Sequence, residues 1–132
     1  MAAGINILVN DGGAPARVMK LGNAGADLDA GTIVEFNSSG AIVAATEDLP
    51  AYLNRTCGVL FVDATSGDPA SVIVGKGAVV FLKATGTIAA GDALGSSSAG
   101  LAKAKTGSDE RFALALEAKS ATHTDFVKAL LL

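Results

Sequence analysis

Short apolar stretches rich in Val, Ile, Leu and Phe alternate along this chain with tight clusters of Gly, Ser, Asn, Asp and Pro. Gly12-Gly13, Gly22-Asn23, Gly31, Ser38-Ser39-Gly40, Ser66-Gly67-Asp68-Pro69, Gly75-Lys76-Gly77, Gly86, Gly91-Asp92, Ser96-Ser97-Ser98 and Gly107-Ser108-Asp109 all have turn composition. The stretches between them are only a few residues long, which suits strands and is too short for amphipathic helices. The pattern predicts strands over 17–21, 32–36, 41–45, 57–62, 71–74, 78–84, 92–94, 101–105, 111–117 and 125–130. A single helical turn is expected over 49–54, after Glu47-Asp48. The C-terminal stretch 125–132 could form a helix by propensity, and its alignment with an earlier segment favours a strand.

That alignment is part of an internal repeat. Leu28-Asp29-Ala30-Gly31-Thr32-Ile33-Val34 parallels Ile88-Ala89-Ala90-Gly91-Asp92-Ala93-Leu94. At the same spacing Ser38 meets Ser98, Gly40 meets Gly100, Ala44 meets Ala104 and Thr46 meets Thr106. After a short deletion in the second copy, Gly58-Val59-Leu60-Phe61 meets Ala113-Leu114-Ala115-Leu116 and Val72 meets Val127. The expected organisation is a single β domain over 17–132, built from pseudo-repeats at about 17–74 and 78–129. Units of this size with such short strands cannot cover their own cores, so two must close on each other. The predicted fold class is all-β, a small barrel or sandwich of short strands with an extended N-terminal arm over 1–16.

Within the arm, Ile5, Ile7 and Val9 share one face of an imperfect period-two pattern, and Asp11-Gly12-Gly13-Ala14-Pro15 forms a joint after it. Ile5, Ile7 and Val9 are therefore candidate partner contacts, able to add a strand to a neighbouring subunit, the alternative being that this segment pairs with its own sheet.

Composition narrows the function classes. Of the 132 residues 50% are apolar and 17% charged, which argues for a folded chain rather than a disordered one. With 16 Gly, five Phe, one Tyr and no Trp, the core must be thin and crossed by many turns. Net charge is −3 and the ten Lys and Arg are scattered, so no basic face for nucleic acid is expected. No run approaches the ~18–20 apolar residues of a membrane helix, and the N-terminus lacks the basic, apolar layout of an export signal. A soluble, cytoplasmically made chain is the expectation.

Candidate chemistry is sparse. Cys57, the only cysteine, lies in the apolar run Cys57-Gly58-Val59-Leu60-Phe61-Val62 and reads as a small core side chain. His123, the only histidine, lies in a Ser/Thr-rich turn with no nucleophile motif to serve. Gly75-Lys76-Gly77 lacks the upstream Gly and the following Ser/Thr of a phosphate loop. Val18-Met19-Lys20-Leu21 resembles the Met-Lys hairpin of biotinyl and lipoyl carrier domains, and Ala90-Gly91-Asp92-Ala93-Leu94 resembles their Gly-Asp turn. Their order along the chain is the reverse of the carriers'. No catalytic, cofactor or metal site is expected, and no small-molecule substrate.

The repeat grammar carries a resemblance of its own. Ala30-Gly31-Thr32-Ile33-Val34, Gly40-Ala41-Ile42-Val43, Gly58-Val59-Leu60, Val72-Ile73-Val74-Gly75-Lys76-Gly77-Ala78-Val79 and Ala90-Gly91-Asp92-Ala93-Leu94 follow one order. The chain resembles in this the small β-barrel ("β-tulip") decoration, or cement, proteins of tailed-phage heads, over roughly residues 17–131. The resemblance implies a non-enzymatic virion protein on the outer capsid surface. It implies a homotrimer that bridges capsomers, with the major capsid protein and itself as partners. A tail or spike subunit and a carrier domain are the alternative readings.

Overall fold

The computed structural model describes residues 7, 17–46, 56–104, 112–119 and 125–132. The expected helical turn over 49–54, His123 and the arm residues Ile5 and Val9 lie outside them. Among the described residues ten strands form where the turn punctuation places them: β1 (Arg17–Asn23), β2 (Ile33–Phe36), β3 (Ile42–Ala44), β4 (Thr56–Leu60), β5 (Pro69–Val74), β6 (Val79–Ala84), β7 (Ala93–Ser96), β8 (Ala102–Ala104), β9 (Ala113–Ala115) and β10 (Asp125–Leu131). A short 3-10 turn at Ser98–Gly100 joins β7 to β8, and the described residues contain no α-helix. The C-terminal stretch is a strand because Val127 and Ala129 alternate inward with the outward Phe126 and Lys128, a period-two pattern.

The first unit is a five-stranded sheet in the order β1-β5-β4-β2-β3, and the second is a closed barrel in the order β10-β6-β8-β7-β9. These are one arrangement built twice, with β6 to β10 standing in for β1 to β5. The parallel contact that closes the barrel, Ala84 with Ala102, has its equal in the bridge from Ala24 to Ile42. Hydrogen bonds repeat as well. Gly31 N donates to Leu60 O and Gly91 N to Ala115 O, both at 2.8 Å. Gly25 N donates to Ile42 O at 2.8 Å, and Thr85 N to Ala102 O at 2.9 Å. Gly31 and Gly91 also share a positive φ of 87° and 91°, a conformation that glycine adopts without strain.

One expected equivalence is corrected. Leu60 pairs with Val72 and Ala115 with Ala129, so the counterpart of Val72 is Ala129, not Val127. Val127 instead matches Ala70, the two pairing with Leu82 and Gly22. The stretch from Ala115 to Ala129 is two residues longer than the equivalent stretch from Leu60 to Val72. A slip of two keeps every side chain on its face, so hydrophobic alternation alone cannot register it.

Consecutive residues of the first sheet point into different cores. Val34, Leu60 and Val72 face the interior of the first unit, with Ala24, Leu28, Ile42 and Ala70. Their neighbours Ile33, Val59 and Ile73 face the other way and join the core of the second unit, with Val80, Leu82, Leu94 and Val127. The first sheet is therefore covered on both faces, and the two units share one apolar seam. Burying this aliphatic surface stabilises by roughly 25 cal/mol per Å2 of apolar area, which is how a core without Trp suffices.

Candidate interaction surface

Several carboxylates serve backbone and seam. Asp63 Oδ1 accepts from Ala30 N at 2.8 Å, fixing the Ala30-Gly31 turn. Glu35 is buried in β2 and its Oε1 accepts from Thr46 N at 2.6 Å, while Ser96 Oγ of the second unit donates to Thr46 O at 2.5 Å. Glu117 Oε1 accepts from Lys128 N at 3.0 Å. Lys83 Nζ lies 2.8 Å from Asp29 Oδ2 and ties β6 to the first unit; its hydrogen bond and positive charge hold the Asp29 carboxyl below the usual aspartate range. No buried side-chain nitrogen or oxygen among the described residues lacks a hydrogen-bond partner. These contacts hold the fold.

Sequence-derived candidates are placed as follows. Lys20 sits within β1, exposed and paired with Ser71, and not at the tip of a hairpin as the carrier resemblance required. Cys57 falls within β4. Among the described residues no three His, Cys, Asp or Glu side chains gather in a cluster that could hold a metal. Two surface depressions of about 510 Å3 each lie beside β2 and β3 and at the seam between the units, lined by residues such as Phe36, Val43, Asp29 and Lys83.

Ile7 is the one arm residue described, and it lies in this chain's own core at 1% exposure. Its carbonyl accepts from Phe81 N at 2.9 Å on the outer edge of β6. At Ile7 this matches the reading in which the segment pairs with its own sheet rather than the one in which it reaches a neighbour. The barrel's β6–β8 contact spans only Ala84 and Ala102, so beyond it the edge of β6 has room for Ile7 beside Phe81.

What the surface offers is apolar side chains: Val18, Met19, Phe36, Val62, Leu116 and Leu132 are each more than a third exposed. Val18 and Met19 lie on β1, which is an edge strand of the first sheet. Paired strands, short edges and exposed aliphatic residues are the raw material of an interface between proteins. Sequence reasoning pointed to edges in general and missed these residues, since an exposed and a buried strand aliphatic look alike in a half-buried alternation.

Fold and surface together define an all-β two-repeat barrel. No protein-family model matches the sequence, and no curated protein does. Among solved structures, the chain is similar to the N base of head fiber gp8.5 of bacteriophage phi29, with a TM-score of 0.63 and 18% identity over 89% of this chain and 93% of that one. At that identity the likeness establishes a shared fold, spanning nearly the whole of both chains.

Proposed function

We propose that this protein is a structural subunit of a tailed-phage virion, seated on the outside of the head, where it binds the major capsid protein and stabilises the shell by bridging neighbouring capsomers. The observation that carries the reading is the near end-to-end fold likeness to a head-fiber base. A two-unit aliphatic barrel is suited to this role, because cement needs a rigid shape and available edges rather than chemistry. Self-association, with a homotrimer as the expected form, makes weak contacts sufficient. Several copies held together raise the avidity by ~10²–10⁴ through effective concentration. The fiber base as neighbour favours a second reading, in which the domain anchors a longer head-attached appendage.

Labelling of virions with antibody to this chain, followed by image reconstruction, tests the proposal. Density at regular positions over the head supports it, and a fiber rising from that density selects the second reading. Labelling confined to the tail, or virions without the chain, overturns both.

A further inference from the structure

The two units, though alike in topology, are buried unlike one another where they meet. Ala30 and Gly31 are buried, Gly31 O accepts from Lys83 N at 2.9 Å, and a Cβ on Gly31 would stand 2.7 Å from Phe126 Cε1. Their counterparts Ala90 and Gly91 are exposed, and a Cβ on Gly91 would meet nothing within 4 Å. The second turn shows the reverse. Gly100 is buried and its N donates to Ala45 O of the first unit at 2.9 Å, whereas Gly40 is exposed and open.

The sheet faces follow the same rule. Ile33 pairs with Val59 and Val59 with Ile73, an outward stripe that is 0% exposed because the second unit covers it. Ala93 pairs with Leu114 and Leu114 with Leu130, the same stripe in the second unit, and all three are only half-buried. Beside them Leu116 is 42% exposed, while its counterpart Phe61 packs against the shared core. On the receiving side, β6 takes the carbonyls of Gly31 and Ile7 on its outer edge. β1, its counterpart, has Arg17 to Lys20 exposed, and among the described residues its outer edge is met only at the Ala24–Ile42 bridge. Met19 is 43% exposed where its counterpart Val80 is 0%.

One surface of the first unit thus fits a different surface of the second, and among the described residues nothing covers the equivalent of either. We propose that copies of this chain assemble head to tail. The Ala90-Gly91 turn and the Leu114–Leu130 stripe of one copy dock on the outer edge of β1 and the Gly40 turn of the next, so the junction between copies repeats the junction within the chain. Asn23 N–H takes the part of Lys83 N–H and donates to the Gly91 carbonyl. Charge is compatible, with Arg17 and Lys20 on the receiving side and Asp92 beside the docking turn. A contact of this heterologous type closes into a ring or extends as a filament, according to the rotation between copies. The proposal deepens the reading of a self-associating subunit, yet it rests on the internal repeat alone, so its failure would leave the virion location untouched.

Cysteine mixing tests it. In a Cys57→Ala background, Asn23→Cys and Ala90→Cys are made on separate chains, both at exposed positions, and circular dichroism confirms that each is folded. Head-to-tail docking gives disulfide dimers on mixing the two chains and none within either alone. Dimers formed equally by either chain alone, or none on mixing, overturn it. A second measurement uses the natural sequence: light scattering over a concentration series shows assembly, and Leu116→Asp weakens it at least about tenfold, as expected for a charge placed in an apolar contact. A natural chain that stays monomeric at the highest concentration, or a Leu116→Asp chain that assembles equally well, also overturns it.

Discussion

Lys83 and Asp29 face each other across the seam at 2.8 Å, β6 of the second unit reaching to the turn that opens β2 of the first. The Asp29 carboxyl is held below its ordinary value of 3.8, first by the hydrogen bond from Lys83 and then by its charge. A folded-state value below the unfolded one means stabilisation that is present above pH 3.8 and lost as the pH falls through the lowered value. Asp29 is 56% exposed, so solvent screens the pair and its contribution is in the range of about 0.2–1 kcal/mol. Asp29→Asn should lower the urea midpoint slightly at pH 7 and leave it unchanged near pH 2. An equal loss at both pH values would show that Asp29 matters for packing rather than charge.

Gly31 and Gly91 allow a paired comparison. Both have φ near +90°, so alanine at either meets the same backbone strain, about 1 kcal/mol. Only Gly31 has neighbours in the way, Phe126 Cε1 at 2.7 Å and Phe81 O at 3.2 Å from the new Cβ. Gly31→Ala should cost about 1–3 kcal/mol more than Gly91→Ala, the usual penalty for overpacking. Chemical denaturation of the two variants at low protein concentration decides it, and equal costs would mean that the seam yields freely at Gly31.

The arm yields a prediction that the alternation of Ile5, Ile7 and Val9 alone would have put the other way. A free arm could be deleted without effect on the domain. With Ile7 at 1% exposure inside the shared core, Ile7→Ala should destabilise by about 2–4 kcal/mol. Deletion of residues 1–14 should lower the melting temperature at least as much. An unchanged melting temperature in both variants would return the arm to the role of a partner contact.

The extent to which this fold was legible follows from the kind of signal each feature leaves. Strand positions were readable because turn residues bracket nearly every apolar run, from Gly31 before β2 to Gly77 before β6. The repeat was readable because Gly31 and Gly91 carry the same backbone demand. The register of β10 was not, since a two-residue slip leaves Val127 and Ala129 on the same face. The unequal burial of the units was not legible either. Ala30-Gly31 and Ala90-Gly91 are the same two letters, and only the way the chain closes decides which turn is covered. An interface of small and aliphatic residues leaves no motif, unlike a metal or nucleophile site.

Gly58 and Ala113 occupy equivalent positions, pairing with Val34 and Leu94, and exchange should cost stability at each for a different reason. The second unit accommodates a methyl group at this place and keeps Ala113 at 0% exposure. In the first unit a Cβ on Gly58 would run into Ile73 O, with Val72 Cγ1 at 2.7 Å. A side chain can rotate away from such a contact, but a carbonyl that belongs to a strand cannot move without pulling β5 off β4. The strain would fall on Val59 and Ile73, which are paired with each other and lie on the seam. Gly58→Ala should therefore cost at least about 2 kcal/mol, at the upper end of overpacking. The reverse change, Ala113→Gly, removes one buried methyl group and adds backbone freedom, for about 1–2 kcal/mol. Hydrogen exchange separates the mechanisms: Gly58→Ala should lose protection along β4 and β5 first, while Ala113→Gly should lower protection evenly with global stability. If Gly58→Ala is as stable as the natural chain, the first sheet has the slack of the second and the close approach of β5 is not a constraint.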